Sequence, residues 1–572
     1  MFSVRGPPSG RHVLGATSSR DLDGTMPRGA GRRRSARPAP DPVVDLETPV
    51  ATLERLHAPV RAGDRDARRA RWSRWLPEVV ALALAAAVLR IPAVLSTRHL
   101  LFDDGVYGAS AVAMRHGALP FRDIFSSQGP FFLPLVYVFD LIGGRTLDAP
   151  RLLALTCGVV VTVATYAAGR QITDRPRAIL AAALVACSGS VWWTTGPLTS
   201  DGPGVALACV TVVLALRYRD APSSSRAWVI GGLAGSAFAV KSLLVVPALV
   251  AVTLLMLATR RWRDIALACA LAAAVVVIVS VPWGVGNVID QSVTYHTDQA
   301  THQKPWANTV KTFSTLGDRD APLLAFAILA AGFAGIAALR TRHSASRRSA
   351  SRRSTSRGWD AIGHSTVRSR TNAAVVARFW NAVTSPRGAV AVWCFLAFMV
   401  LVFESPMWRN HIAHMAPPLA LLVATYRPPW LALALAALVL VPYHVVHTSD
   451  LWSPTPYRGA AAVVEHRLKA LPPHAMAISD DPGLVWRSGH RTPPRWVDAS
   501  VLRIESDRPQ LLINGETIAK GAAQRDVCAL VVWSSRFGRF TDLPSRLQRV
   551  GYHRELTFSG GRALWTRPCV AR

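Results

Sequence analysis

The chain has 572 residues, half of them hydrophobic and only 17% charged, yet its formal net charge is +30. That much apolar sequence excludes a disordered chain, and seven cysteines in such a length exclude a disulfide scaffold. The apolar runs are too long for a nucleic-acid-binding domain, so the composition points to a polytopic membrane protein with basic cytoplasmic segments.

Residues 1–75 carry no sustained apolar period and read as a basic, disordered cytoplasmic tail, in which Met26 is an alternative start. The tail ends in Arg68, Arg69, Arg71 and Arg74, directly before a first span at about 77–96. By the positive-inside rule the N-terminus is cytoplasmic. A first outer loop, 97–149, follows. Its apolar stretch 130–143 is shorter than the roughly 20 residues a crossing needs and contains Asp140, so it reads as an interfacial helix. Spans are expected at about 150–169, 178–195 and 204–218, with arginines marking the inner turns. The stretch 227–259 is apolar except for Lys241 and is basic at both ends. A hairpin of two short spans satisfies both constraints and puts Lys241 at its outer tip. A span at about 264–283, a polar outer loop at 284–320 and a span at about 321–339 come next.

Residues 340–387 hold eleven arginines and one acid, Asp360. The segment reads as a solvated, disordered cytoplasmic loop, with contact to anionic lipid headgroups or polyphosphate as the alternative. Spans at about 389–404, 411–426 and 430–447 bring the count to eleven and leave the C-terminus outside. From about 450 the composition is that of a soluble domain. A helix is expected at 457–471 and strands at 475–479, 527–533 and 563–566, which makes a small extracytoplasmic α/β domain over 450–572. Cys528 and Cys569 fall in it and either pair or remain two free thiols.

Charges at membrane edges are costly and therefore informative. Asp103, Asp104, Asp201, Lys241, Glu404, Arg409, His411 and His414 all fall on the outer side of this topology. Carboxylates near Lys, Arg and His suit proton abstraction from an acceptor hydroxyl together with stabilisation of a phosphate leaving group. Plainer roles stand beside these. Asp103 and Asp201 are also placed to cap helices, Lys241 to snorkel, and His411 to sit as an ordinary interfacial histidine. No zinc-type Cys/His spacing, Gly-rich phosphate loop or dinucleotide fingerprint occurs. The residues demand no cofactor or metal, and a divalent metal is left open.

The run Phe102-Asp103-Asp104-Gly105-Val106-Tyr107, then Gly117-Ala118-Leu119-Pro120-Phe121-Arg122-Asp123, then Gln128-Gly129-Pro130 resembles the first outer loop of GT-C glycosyltransferases. The nearest subgroup is the bacterial one allied to protein O-mannosyltransferases, lipid A aminoarabinose transferases and lipopolysaccharide galacturonosyltransferases. Thr199-Ser200-Asp201, Val240-Lys241, Asn410-His411 before Pro417-Pro418, and Ser479-Asp480-Asp481-Pro482 agree in order.

The resemblance implies inverting transfer of a sugar, hexosyl or pentosyl, from a polyprenyl-phosphate donor. The acceptor would be a cell-envelope glycan, lipid or protein on the outer face of the cytoplasmic membrane. Asp103 would orient or deprotonate the acceptor hydroxyl, supported by Asp104 and Asp201. Lys241, Arg409 and His411 would face the donor phosphate. Arg122, Asp123 and Gln128 would position the acceptor or the loop. Here Asp201 opens Asp-Gly-Pro where the family has an acid-Pro pair, and Gln128 stands where some relatives carry a cation. The alternative functions are a lipid or sugar transporter or flippase, for which no internal repeat is evident, and an inactive scaffold.

Overall fold

The computed structural model describes residues 75–298, 304–353, 367–425, 438–439, 442–446, 456–500, 503–504 and 512–569. The expected tail lies outside these residues except for Trp75, and the expected span at 430–447 lies mostly outside them. Among the described residues five helices are long and apolar enough to cross a membrane: Leu76–Val94, Arg151–Ile172, Asp201–Asp220, Trp262–Trp283 and Pro386–Phe403. Two bent pairs raise the number to seven, against the eleven expected from hydropathy. The other expected spans are the two arms of the hairpin and the stretch 411–426, whose described helices are short, and 430–447, which lies mostly outside the described residues. The span expected at 178–195 is broken by 60° between Arg175–Ala186 and Gly189–Thr195. At the break Ser188 caps the second piece by accepting from Val191 N (3.2 Å), and it donates to Asp320 (2.6 Å). The loop expected at 284–320 contains the helix Pro305–Arg319, which meets the next helix at 111°. The span expected at 411–426 begins as a 3-10 turn, Arg409–His414, followed by a helix described over Ala416–Thr425.

Two expectations hold in detail. Residues 224–257 form a hairpin, Ser224–Val240 and Ser242–Leu257, with Lys241 alone between the helices. The apolar stretch after Pro130 is a short helix, Phe132–Ile142, whose buried Asp140 is neutralised by a two-pronged contact from Arg115 (2.8 and 2.5 Å). One expectation fails. The basic segment read as a disordered loop is helical over Ala321–Arg353, which continues the preceding span, and over Val367–Val383. Its arginines, serines and alanines carry no strong helix breaker, and charge alone does not forbid a helix.

The C-terminal domain has one four-stranded sheet in the order β1-β2-β4-β3. Its strands are β1 Met476–Ser479, β2 Val527–Val532, β3 His553–Thr557 and β4 Ala563–Thr566. The pairing of β1 with β2 is parallel, and β4 runs antiparallel to both β2 and β3. Three strands were expected; β3 was not, because its sequence His-Arg-Glu-Leu-Thr is polar and sits exposed at the sheet edge. One face packs Ile478, Trp496, Leu530 and Trp565, and the other Val464, Leu484, Val531 and Leu564. Cys528 and Cys569 are joined in a disulfide, which ties the residues after β4 to β2. Asp480 accepts from the backbone N–H groups of Trp533, Ser534 and Phe537 and so fixes the exit of β2.

This domain is seated on the helix Phe102–Arg115 of the first outer loop. Trp486 is fully buried there between the guanidinium groups of Arg151 and Arg487 (5.1 and 5.0 Å from the ring centre). Arg487 also reaches Asp148 (2.7 Å) and the Thr97 carbonyl (3.0 Å), and His99 pairs with Asp481 (3.1 Å). The approach requires glycine on the loop helix, because a Cβ on Gly105 would lie 2.5 Å from Gly483 N and one on Gly108 would strike the Trp486 ring. Gly108→Ala is therefore expected to cost roughly 1–3 kcal/mol by overpacking. Limited proteolysis in detergent should show faster cleavage between the domain and the membrane part; an unchanged pattern would mean that this contact does not hold the domain.

Candidate functional site

Asp103 and Asp104 are neighbours in the first turn of the same helix and have opposite surroundings. Asp104 is fully buried. Both its oxygens meet Arg151 (3.2 and 2.6 Å), and they also accept from Leu100 N (2.9 Å) and Leu198 N (3.0 Å). Burial alone would raise its pKa, but Arg151 and these backbone donors outweigh it and hold the carboxyl below its usual value. Arg151 spends its remaining N–H groups on the carbonyls of Ala93, Ser96 and Arg98. With its lone pairs committed and no solvent access, Asp104 anchors the loop, and its expected catalytic support is corrected to this structural role.

Asp103 is half-buried, with solvent access but closely surrounded. Desolvation pushes its pKa up to about 6. Lys241 and His411 oppose the shift, while the charges of Asp201 and Asp498 add to it. A carboxylate poised in this range is matched to general-base work near neutral pH.

Across from Asp103 lies a cluster centred on Asp201. Its Oδ1 is 3.4 Å from Lys241 Nζ, 3.4 Å from His414 Nε2 and 3.8 Å from His411 Nε2. His411 Nδ1 lies 2.6 Å from Glu404 Oε1. Lys241 also donates to Gln128 Oε1 (3.0 Å) and Ser200 Oγ (3.1 Å), and Ser200 donates to the same Gln128 oxygen (2.8 Å).

The backbone explains why these groups meet. Gly129 N and Phe131 N donate to the carbonyls of Val240 and Ala239, which join the start of the interfacial helix to the hairpin tip. This places Gln128 beside Lys241. The glycines of Asp201-Gly202-Pro203-Gly204 let the helix start pack closely: a Cβ on Gly202 would sit 2.5 Å from the Thr194 carbonyl oxygen, and one on Gly204 would sit 3.0 Å from Lys241 Cβ and 3.4 Å from His414 Cε1. Ser200, not Asp201, occupies the position before the helix, and Asp201 makes ion pairs instead of a cap.

Of the residues expected at the site, Asp103, Asp201, Lys241, His411 and Gln128 come together. Three do not. Arg409 points to Asp318 (3.7 Å) with both side chains about half-exposed or more, on a different side of the 3-10 turn from His411. Arg122 and Asp123 lie exposed in a surface turn, where Asp123 accepts from Leu119 N (2.8 Å). The buried residue of that motif is Phe121, whose carbonyl accepts from Gln291 Nε2 (2.8 Å).

Two participants, Tyr107 and Asp498, were given no role from the sequence, whereas His414 was among the charges expected on the outer side. His414 joins His411 on Asp201 through the 3-10 spacing. Tyr107 is buried one turn after Asp103, and burial together with the Asp103 charge raises its pKa well above normal. Asp498 comes from the C-terminal domain: it is buried, accepts from Ser500 N (2.8 Å), and acts on Asp103 through its charge. Ser500 in turn lies 3.2 Å from the Tyr295 hydroxyl. Among the described residues no three His, Cys, Asp or Glu side chains are grouped as metal ligands.

The comparison with solved structures decides the fold. ArnT from Cupriavidus metallidurans bound to undecaprenyl phosphate matches with a TM-score of 0.54 and 14% identity, over 86% of this chain and 98% of that one. Its apo state matches at a TM-score of 0.52 with the same identity and coverage. The chain has the fold of a GT-C membrane glycosyltransferase. Residues 127–285, which include Gln128, Asp201 and Lys241, also match the family model described as dolichyl-phosphate-mannose-protein mannosyltransferase. Among curated protein sequences none matches. The fold agrees with the resemblance first carried by the motifs, and the several apolar helices described above are those of a multi-pass membrane protein.

The two adjacent aspartates separate cleanly by experiment. Asp104→Asn leaves buried Arg151 with only the longer contact to the part-exposed Asp148 (3.8 Å) as an ion pair and is expected to destabilise by roughly 3–5 kcal/mol. Asp103→Asn removes a desolvated charge and should leave the melting temperature in detergent unchanged or higher. Equal losses for both would refute this division.

Proposed function

We propose that this chain transfers a sugar from a polyprenyl-phosphate donor to an acceptor hydroxyl on the outer face of the cytoplasmic membrane, with inversion at the anomeric carbon. The observation that carries the reading is the pairing of a lone, half-buried carboxylate, Asp103, with a facing cation, Lys241, that Asp201 holds in place. The likeness to ArnT bound to undecaprenyl phosphate supports the choice of donor class.

Asp103 accepts the proton of the acceptor hydroxyl as its oxygen attacks the anomeric carbon. The bond from that carbon to the phosphate oxygen breaks on the opposite face, so a single displacement inverts the centre. Charge develops on the departing lipid phosphate, and the ammonium of Lys241 meets it. Asp201 is a positioning residue: it aims Lys241, His411 and His414, and Glu404 orients His411 from behind. The topology of this reading has a cytoplasmic N-terminus and an extracytoplasmic C-terminal domain.

Asp103→Asn is expected to lower turnover by roughly 10²–10⁴-fold in membranes supplied with a polyprenyl-phosphate sugar. Lys241→Met is expected to lower it by roughly a hundredfold. Full turnover in a normally expressed Asp103→Asn protein would remove Asp103 from the mechanism. The base must be ionised to act, and its folded pKa is raised to about 6. Activity should therefore be full above neutrality and fall with one proton as pH drops through about 6. A flat profile from pH 5 to 8 would contradict this assignment (roughly the span over which such a group titrates). Comparing lipid-linked sugars in wild-type and deletion cells would name the donor through the species that accumulates.

A further inference from the structure

The arginine-rich segment between the spans has no part in the chemistry above, and its second helix has an unusual surface. Val367–Val383 is a 17-residue helix containing Arg368, Arg370 and Arg378, too polar to cross a bilayer. Its Val375, Val376, Phe379 and Trp380 are between 41% and 67% exposed. At 100° per residue these four, with Val383, share one face, while Arg370 and Asn381 are on the opposite one, Arg378 is on the flank, and Arg368 is in line with the apolar face at the N-terminal end of the helix. A contiguous Val-Val-Phe-Trp face is not left open to water without a partner.

The helix position says what that partner is. After Val383 only Thr384 and Ser385 intervene before the membrane span Pro386–Phe403 begins. Both serve as hinges: Thr384 Oγ1 donates to the Trp380 carbonyl (2.9 Å), and Ser385 donates to the Ala382 carbonyl (2.6 Å) while capping the span at Gly388 N (3.0 Å). The helix thus ends at the membrane boundary. An in-plane helix buries its apolar face in the acyl boundary, sets Trp at the headgroup level and directs flanking arginines to lipid phosphates. The stretch 340–387 carries eleven arginines against Asp360 alone, so the complementary surface is anionic.

We propose that Val367–Val383 is an in-plane anchor on the leaflet where the basic segment lies, binding a surface of anionic phospholipid through its apolar face and arginines. The inference does not depend on the glycosyltransferase reading.

The test uses the full-length protein in vesicles of equal parts phosphatidylglycerol and phosphatidylcholine, with the photocrosslinking residue benzoylphenylalanine at position 379 or 381. Position 379 should cross-link to lipid and position 381 should not. Cross-linking of position 379 to a second copy or another protein segment, or equal lipid labelling at both positions, would overturn the proposal. The full chain with Arg368, Arg370 and Arg378 all replaced by Gln should also retain less phosphatidylglycerol relative to phosphatidylcholine after gentle solubilisation, by at most roughly fivefold per arginine. An unchanged ratio would overturn the part assigned to anionic lipid.

Discussion

The buried pair of Asp104 and Arg151 is the contact on which the outer half of this molecule depends. Arg151 opens a membrane span, and its N–H groups hold carbonyls at the end of the first span and in the loop after it. Asp104 meanwhile receives Leu198 N, from the connection that leads to Asp201. One ion pair thus joins the first span, the outer helix and the turn that presents the second carboxylate. An isolated buried charge is expensive, and so is a half-satisfied pair. Here every polar atom of the carboxylate has a partner, and the energy otherwise lost to desolvation is recovered in hydrogen bonds that also define geometry. Asp103 takes its place from that anchor without sharing in it, so its carboxylate keeps its solvent access.

A second division of labour runs through the Asp201 cluster. Lys241 has three acceptors around it, from Asp201, Ser200 and Gln128, so its ammonium is held by several weak restraints instead of one strong one. Gln128 supplies a neutral oxygen where a cation would have repelled Lys241. The glycines after Asp201 allow the helix start, the hairpin tip and the 3-10 turn to approach within side-chain contact. The departure from the family's acid-Pro pair therefore has a local steric use, and the carboxylate remains aimed at its cations.

Much of this was legible in the sequence, and the rest was hidden for identifiable reasons. Lys241 at a hairpin tip followed from an apolar stretch with basic ends, because burying a lysine at mid-membrane is costly. Asp103 and Asp201 were found through their place at span edges. The different fates of Asp103 and Asp104 were not legible, since adjacent identical residues differ only in what a 100° turn of the helix brings near them. Arg409 was grouped with His411 by nearness in sequence alone, and two positions in a short helical turn share no face. Asp498 lies in a stretch without a motif, and only tertiary docking brings it to the site. The expected span count exceeds the long apolar helices described because the hairpin arms and the helix after His414 are short and the last expected span lies mostly outside the described residues.

The docking of Trp486 on Gly108 couples two parts of the chain that are distant in sequence. The bond from Arg487 to the Thr97 carbonyl joins residues 390 apart in the chain. Asp498 belongs to the docked domain, and its charge is one of those that raise the Asp103 pKa. With that domain undocked, Asp103 would be better hydrated and free of the Asp498 charge, and its pKa would be lower. The proton affinity of one loop carboxyl is thus set in part by how firmly a sequence-distant domain is seated.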